Sequence, residues 1–454
     1  MRNLKIILSV AIIAALAMSF AACGDPEPDP DASWTVTFDA NGGFFGPVIA
    51  NASAKKEVSG IADQGQVTAP SDVYKAWTPQ AGTTASKGEG LYLYLEPTAW
   101  NKADGKAFDF AKDKVTADIT LKAAWGAERD KVASLSGSGS IVEKAVSTVK
   151  ANPKPYVLAL ANDVTDVGGV SKLDVSYAQL LIVGIGGNKK IVAPTTKGRI
   201  FVVGHDSDKI STIALTLGSN ITLQGITNNT DALVLVQNNA TLTMSTGSSI
   251  TGNSSDGTSW QSWSNNHGFG VAGVHVDGAT LSMQGGTITG NTNIMSGTKA
   301  GNNDATPLQI GRVHSAGGVY VEANGTVDLV SGSISGNSNN IGAADIFSTA
   351  GSATLINQAK FGGTSAVGEI GLGGNDTHLA KITVSPDYNP TAKPKIFLQG
   401  TEAFWKNKGA ILIGASATTA QKFDLGKYLV AAADGNSNTG AAIAITIQSD
   451  GSLK

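Results

Sequence analysis

Two stretches of the chain alternate apolar and polar residues with a period of two and nearly copy each other: GVHVDGATLSMQGGTITGN at 273–291 and GVYVEANGTVDLVSGSISGN at 318–337. Such alternation predicts strands with one face buried. In the first copy it sends Val274, Val276, Leu281, Met283 and Ile288 to one side. His275, Thr280, Ser282, Thr287 and Thr289 go to the other. A further copy lies upstream: ATLTM (240–244) matches ATLSM (279–283) and GTVDL (325–329), and the three copies close on Asn253, Asn291 and Asn337. Three short strands per copy, joined by Gly and Asn turns, predict one rung of a parallel β-helix, with equivalent residues stacked about 4.8 Å apart. Asparagines recurring at the turns are expected to form amide ladders along that stack.

The copies are spaced 38 and 46 residues apart, more than a rung requires, and the surplus falls in loops at 254–270 and 292–317. Loops on a rigid scaffold are where recognition is usually placed. Trp260, Trp263 and Phe269 in the first loop are therefore candidate binding residues, able to stack on sugar rings or anchor a protein. His275 and Tyr320 join them, as outward positions at which the copies differ. The outward Thr and Ser columns offer a flat hydrogen-bonding face to an extended polymer. From Ile382 the pattern loosens into irregular final strands, such as ILIGAS (411–416).

Before the repeats, WTVTFDANGG predicts a strand with Trp34, Val36 and Phe38 on one face and a turn at Asn41-Gly42-Gly43. A second alternating strand runs through Ile119 and Leu121 to Trp125. IVEKAVSTVK (141–150) places Ile141, Val142, Ala145, Val146 and Val149 on one face of a helix that Pro153 ends. Its expected task is to cover the open first edge of the stacked sheet.

Only 15% of residues are charged, against roughly 25% in an average soluble protein, and 55 are Gly. With Ser, Thr and Asn supplying the polar surface, this suits a β-rich extracellular protein. A net charge of -3 provides no basic patch for nucleic acid. Arg2 and Lys5 precede an apolar run, Ile6 to Ser19, too short for the roughly 20 residues of a membrane-spanning helix. The sole cysteine follows in Phe20-Ala21-Ala22-Cys23, which resembles a bacterial lipobox and implies lipidation of Cys23. GDPEPDPD (24–31) then reads as an extended tether.

Three ordered segments, VTFDANGG, the GKAFDF of Gly105–Phe110 and VTADITLKAAW (115–125), resemble the internalin-type B repeat, also called the Listeria–Bacteroides repeat. That resemblance implies a surface-displayed module of β-grasp type with no catalytic residue, and the long middle, Phe44–Pro97, is expected to be an insertion. The later repeats, with AGGVYV and SGSISGN, resemble the right-handed β-helix of polymorphic outer-membrane proteins and adhesins, and more loosely the pectate-lyase-like fold.

Enzymes that cleave sugars on such a scaffold need carboxylates gathered on one outer face. Asp277 and Glu322 are the candidate pair, each following the first strand of its copy, at turns, where like-charge repulsion would raise one pKa. His267, His275 and His314 show no metal-ligand spacing, and GHDSD (204–208) lacks the repeated pattern of a calcium loop. No metal, cofactor or catalytic residue is assigned.

The sequence thus predicts a mainly β chain: signal peptide 1–22, tether 23–33, B-repeat-like module 34–126, linker and capping helix 127–153, and a right-handed parallel β-helix 154–454. It is expected to be a lipid-anchored, non-enzymatic envelope or surface protein, adhesin-like or structural, binding glycan or protein partners. A β-helix polysaccharide lyase or hydrolase and a passive spacer are the alternatives.

Overall fold

The computed structural model describes residues 29–45, 53–78, 88–165, 167–205, 212–256, 268–294, 313–339 and 343–348, together with strands within 358–361, 366–372, 381–384, 395–398 and 429–431. The chain divides into two compact units. One comprises Met1–Phe45, Ser53–Val73 and Glu96–Gly126, the other Gly46–Ala52, Tyr74–Leu95 and Ala127–Lys454.

In the first unit, Ser33–Asp39 and Ile119–Trp125 lie side by side and parallel, with Val36 opposite Ile119 and Phe38 opposite Leu121. Lys55–Ala62 and Pro97–Asn101 flank them antiparallel, completing a four-stranded sheet. The predicted inward residues Val36 and Phe38 are buried, and Trp34 packs at the margin. Phe38 meets Trp100 edge to face at 4.9 Å between ring centroids, a geometry that aromatic quadrupoles favour.

The second unit is mainly β and its large sheets are parallel except for one antiparallel edge strand, compatible with a β-helix-like solenoid. Equivalent strands of successive repeats pair in register. Val234–Gln237, Val274–Asp277 and Val319–Glu322 adjoin in one sheet. Thr241–Met244, the first half of Thr280–Thr289 and the first half of Thr326–Ile334 adjoin in another. Ser248–Thr251 continues the pattern along the second halves. The predicted inward side chains Val274, Val276, Leu281, Met283 and Ile288 are fully buried, as are their counterparts Val319, Val321, Val327, Leu329 and Ile334. Each such side chain contributes about 1.5–3 kcal/mol by leaving water. Thr280–Thr289 is a single ten-residue strand rather than two, with its register shifting between Met283 and Thr287, where Gly286 has φ 78°.

An amide ladder threads the buried corner of the repeats. Asn229 Nδ2 donates to Asn253 Oδ1 at 2.9 Å, the Asn253 backbone N–H to Asn291 Oδ1 at 3.2 Å, and Asn291 Nδ2 to Asn337 Oδ1 at 3.0 Å. Asn337 Nδ2 donates in turn to Asp345 Oδ1 at 2.9 Å, and Asp345 Oδ2 accepts the Glu369 N–H. Burial pushes the Asp345 carboxyl above the ordinary range, against the hydrogen bonds from Asn337 that favour the anion.

The start of this unit is built from two places in the chain. The helix Ile141–Ala151 opens with a capping box, in which Ser140 and Glu143 satisfy each other's backbone N–H. It buries Val142, Ala145, Val146 and Val149 in the core. The edge of the first parallel strand, Pro155–Leu160, is paired not by this helix but by Gly90–Leu93, antiparallel, with Leu91 opposite Leu158. The Glu89 carboxylate beside it accepts the N–H groups of Ala161 and Asn162. Residues 74–95, which sequence assigns to an insertion within the preceding module, thus belong to the parallel unit. The physical reason is that a bare edge leaves a row of N–H and C=O groups unpaired, and a short strand from any part of the chain satisfies them.

Candidate functional site

The outer side of the sheet containing Val274–Asp277 and Val319–Glu322 gathers four of the residues singled out by sequence. Alternation turns His275 and Tyr320 away from the core, and register sets them opposite each other, with Asp277 opposite Glu322. Asp277 and Glu322 are the last residues of their strands rather than members of the turns that follow.

Glu322 is gripped on both oxygens. His275 Nε2 lies 2.7 Å from Oε1, and Tyr320 Oη donates to Oε2 at 3.1 Å. The His275 and Tyr320 rings are tilted at 5.3 Å, and Tyr320 stacks on Phe347 of the next repeat at 6.2 Å. Beneath them Ala232, Val271, Ala316 and Ala343 complete a small apolar cluster outside the main core. His275 is only 6% exposed and Tyr320 1%, so these two binding candidates, expected to face outward to solvent, are instead packed side chains. The cluster therefore presents the carboxylates Glu322 and Asp277, both partly exposed, over a buried aromatic base.

Burial is the largest influence on the Tyr320 phenol and holds its pKa well above 10.0, with the Glu322 charge, the hydrogen bond to it and the Asp277 charge adding in the same direction. Burial likewise raises Tyr92, Tyr94 and Tyr156. A phenol whose folded pKa exceeds its unfolded value stabilises the fold fully below about pH 10, and that contribution is lost as pH climbs toward the folded value. In an alkaline titration, the 295 nm phenolate absorbance of Tyr94 and Tyr320 is expected to appear only together with loss of the far-ultraviolet β signal. Their ionisation in a chain that keeps that signal would contradict the packing.

The other candidates are placed as follows. Phe269 lies on the strand Gly268–Val271, which pairs in parallel with Val313–Ala316 and sets Phe269 opposite His314. Trp260, Trp263 and Cys23 lie outside the described residues, as does most of GHDSD. Among the described residues no group of three His, Cys, Asp or Glu side chains converges as a metal-ligand set.

Phe347 and Asp345 were not legible as site residues. Both sit in Ala343-Ala344-Asp345-Ile346-Phe347-Ser348, a further copy of the first strand, with Ile346 paired to Val319 and Phe347 to Tyr320. The signal was present in the Ile-Phe-Ser alternation after two small residues, but Asp345 stands where the other copies carry Gly273 and Gly318, masking the likeness. Compared with known protein families, with curated proteins and with solved structures, the chain matches none.

Proposed function

We propose that the chain is a lipid-anchored cell-envelope protein whose second unit is a right-handed parallel β-helix, displayed for adhesin-like or structural binding. The observation that supports this most is the chemistry of the outer faces. Along the last segment of each repeat they carry in-register uncharged hydroxyls, such as Ser249, Thr287 and Ser333, while in the aromatic cluster His275 and Tyr320 are packed and committed to Glu322. Such a surface suits adhesion across many repeats better than chemistry at one point. Attachment in this reading is through the lipobox-like Phe20-Ala21-Ala22-Cys23, and among the described residues no helix is long and apolar enough to cross a membrane.

A Cys23→Ser chain expressed in a bacterium that lipidates such signals is expected to leave the membrane fraction and become soluble, whereas the parent chain stays with membranes and is accessible to external protease. Membrane retention of the variant would refute the anchor, and protection of the parent from protease in intact cells would refute surface display.

One observation favours a polysaccharide lyase or hydrolase as the second reading: Asp277 and Glu322 stand in register on adjacent strands with an imidazole and a phenol beside them. Paired carboxylates of this kind perform acid and base steps on glycosidic bonds. The two readings part on whether the parent chain generates new reducing ends or unsaturated products from pectin or alginate, and whether Glu322→Gln abolishes them.

A further inference from the structure

The last segment of each repeat, the strand Ser248–Thr251 and then the second halves of Thr280–Thr289 and Thr326–Ile334, carries two outward columns: Ser249, Thr287 and Ser333 in one, Thr251, Thr289 and, one residue past the last strand, Ser335 in the other. All six are hydroxyls. Thr287 is exposed and the rest are partly exposed. Strand geometry spaces them about 4.8 Å apart along a column and about 6.7 Å apart within a strand. Neighbours are already oriented by one another, as in the 3.1 Å bond from Thr287 Oγ1 to Ser249 Oγ.

The residue that closes each strand supplies an independent observation. Gly252, Gly290 and Gly336 all have left-handed backbones, with φ of 70°, 66° and 71°. That conformation alone does not demand glycine in this chain, which places asparagine at its left-handed positions 220, 228, 238, 239 and 324. What sets Gly290 and Gly336 apart is their neighbour, a hydroxyl where Gly252 has the amide of Gln224. A Cβ on Gly290 would stand 3.2 Å from Thr251 Oγ1, and one on Gly336 would stand 3.1 Å from Thr289 Oγ1. A side chain at either turn would lie against the hydroxyl of the preceding repeat. Glycine leaves the row uncovered.

We infer that this face is a binding platform for an uncharged, linear polysaccharide laid along the stack. The inference rests on the display reading and names its ligand class. Hydroxyls donate and accept equally, which matches a polymer whose own surface is hydroxyl repeated at regular intervals. An anionic polymer would require Lys or Arg, and none of the six positions has either. A protein partner would require aromatic or Arg anchors, and these are likewise missing from the six. Several weak, equivalent contacts along one chain add to a useful affinity through multivalency.

The test is affinity electrophoresis of the full chain in gels containing glucomannan, dextran or, as the charged comparator, polygalacturonate. The parent chain is expected to be retarded by a neutral polymer. A Thr251→Val, Thr289→Val, Ser335→Ala chain keeps shape but loses three hydroxyls, and should bind that polymer at least about tenfold more weakly. Gly290→Asn retains a residue type this chain tolerates at positive φ, and should weaken binding in the same direction by covering Thr251. Unchanged thermal unfolding of either variant, together with weakened binding, supports the platform. Binding within about twofold of the parent in both variants overturns it, as does retardation of the parent by polygalacturonate alone. A parent chain retarded by none of the three also overturns the platform, while the display reading is decided separately by fractionation and external proteolysis.

Discussion

An Asn291→Ala chain is expected to lose about 3 kcal/mol or more of unfolding free energy, although the substitution removes only a small polar side chain. Asn291 is fully buried, its Nδ2 donates to Asn337 Oδ1 and to the Ile250 carbonyl, and its Oδ1 accepts the Asn253 N–H. Alanine takes that side chain from the Asn253 N–H and the Ile250 carbonyl, and each buried group so orphaned costs about 1–3 kcal/mol, while Asn337 Oδ1 keeps its bond from the residue 291 backbone N–H. Aspartate is expected to be no better, because it places an acceptor against the oxygens of Ile250, Thr289 and Asn337 that the Asn291 amide now serves. Thr289→Ala, two residues away on the partly exposed face, is expected to stay within about 0.5 kcal/mol of the parent. Urea midpoints with unchanged slopes measure the difference. A loss below about 1 kcal/mol for Asn291→Ala would mean that the ladder is decoration on a fold held by its apolar interior.

The second large effect is expected at Leu91, more than sixty residues before the strand it supports. Leu91 is fully buried in the same core as Leu158, Leu180 and Leu215, and Leu91→Ala should cost about 2–5 kcal/mol, the usual range for such a truncation. Its signature is regional. Hydrogen exchange should accelerate at the amides of Tyr156–Leu160 and Gln179–Gly184, while the paired strands Ser33–Asp39 and Ile119–Trp125 keep their protection, because Leu91 belongs to the parallel unit and not to the unit that flanks it in sequence. Equal acceleration in both sheets would show that 74–95 is bound into the first unit energetically.

These two residues mark what sequence could and could not convey. Asn291 was legible because it recurs: a side chain stacked on its own equivalent leaves a trace at fixed places in each copy, and the same logic exposed Val274, Val276, Leu281, Met283 and Ile288 as inward. Leu91 was not. GLYL is four residues long with nothing periodic around it, and its antiparallel pairing with Tyr156–Ala159 depends on an edge that exists only once the rest has folded. The polar cluster was half legible. Alternation turned His275 and Tyr320 outward correctly, and counting copies set Asp277 beside Glu322. Outward, however, describes only the side of a strand, and the burial of these rings comes from Val271, Ala316, Phe347 and their neighbours, which no local pattern announces.

The ladder that Asn291 belongs to also has a direction. Its links donate from earlier repeats to later ones, so any asparagine within it accepts on one side and donates on the other, and one more such repeat could be spliced between two existing ones without disturbing either join. Asp345 has no such symmetry, since both of its oxygens only accept. It works as a stop codon does in a message: gene duplication can lengthen the stack anywhere between Asn229 and Asn337, but growth past Asp345 has to begin a different kind of joint.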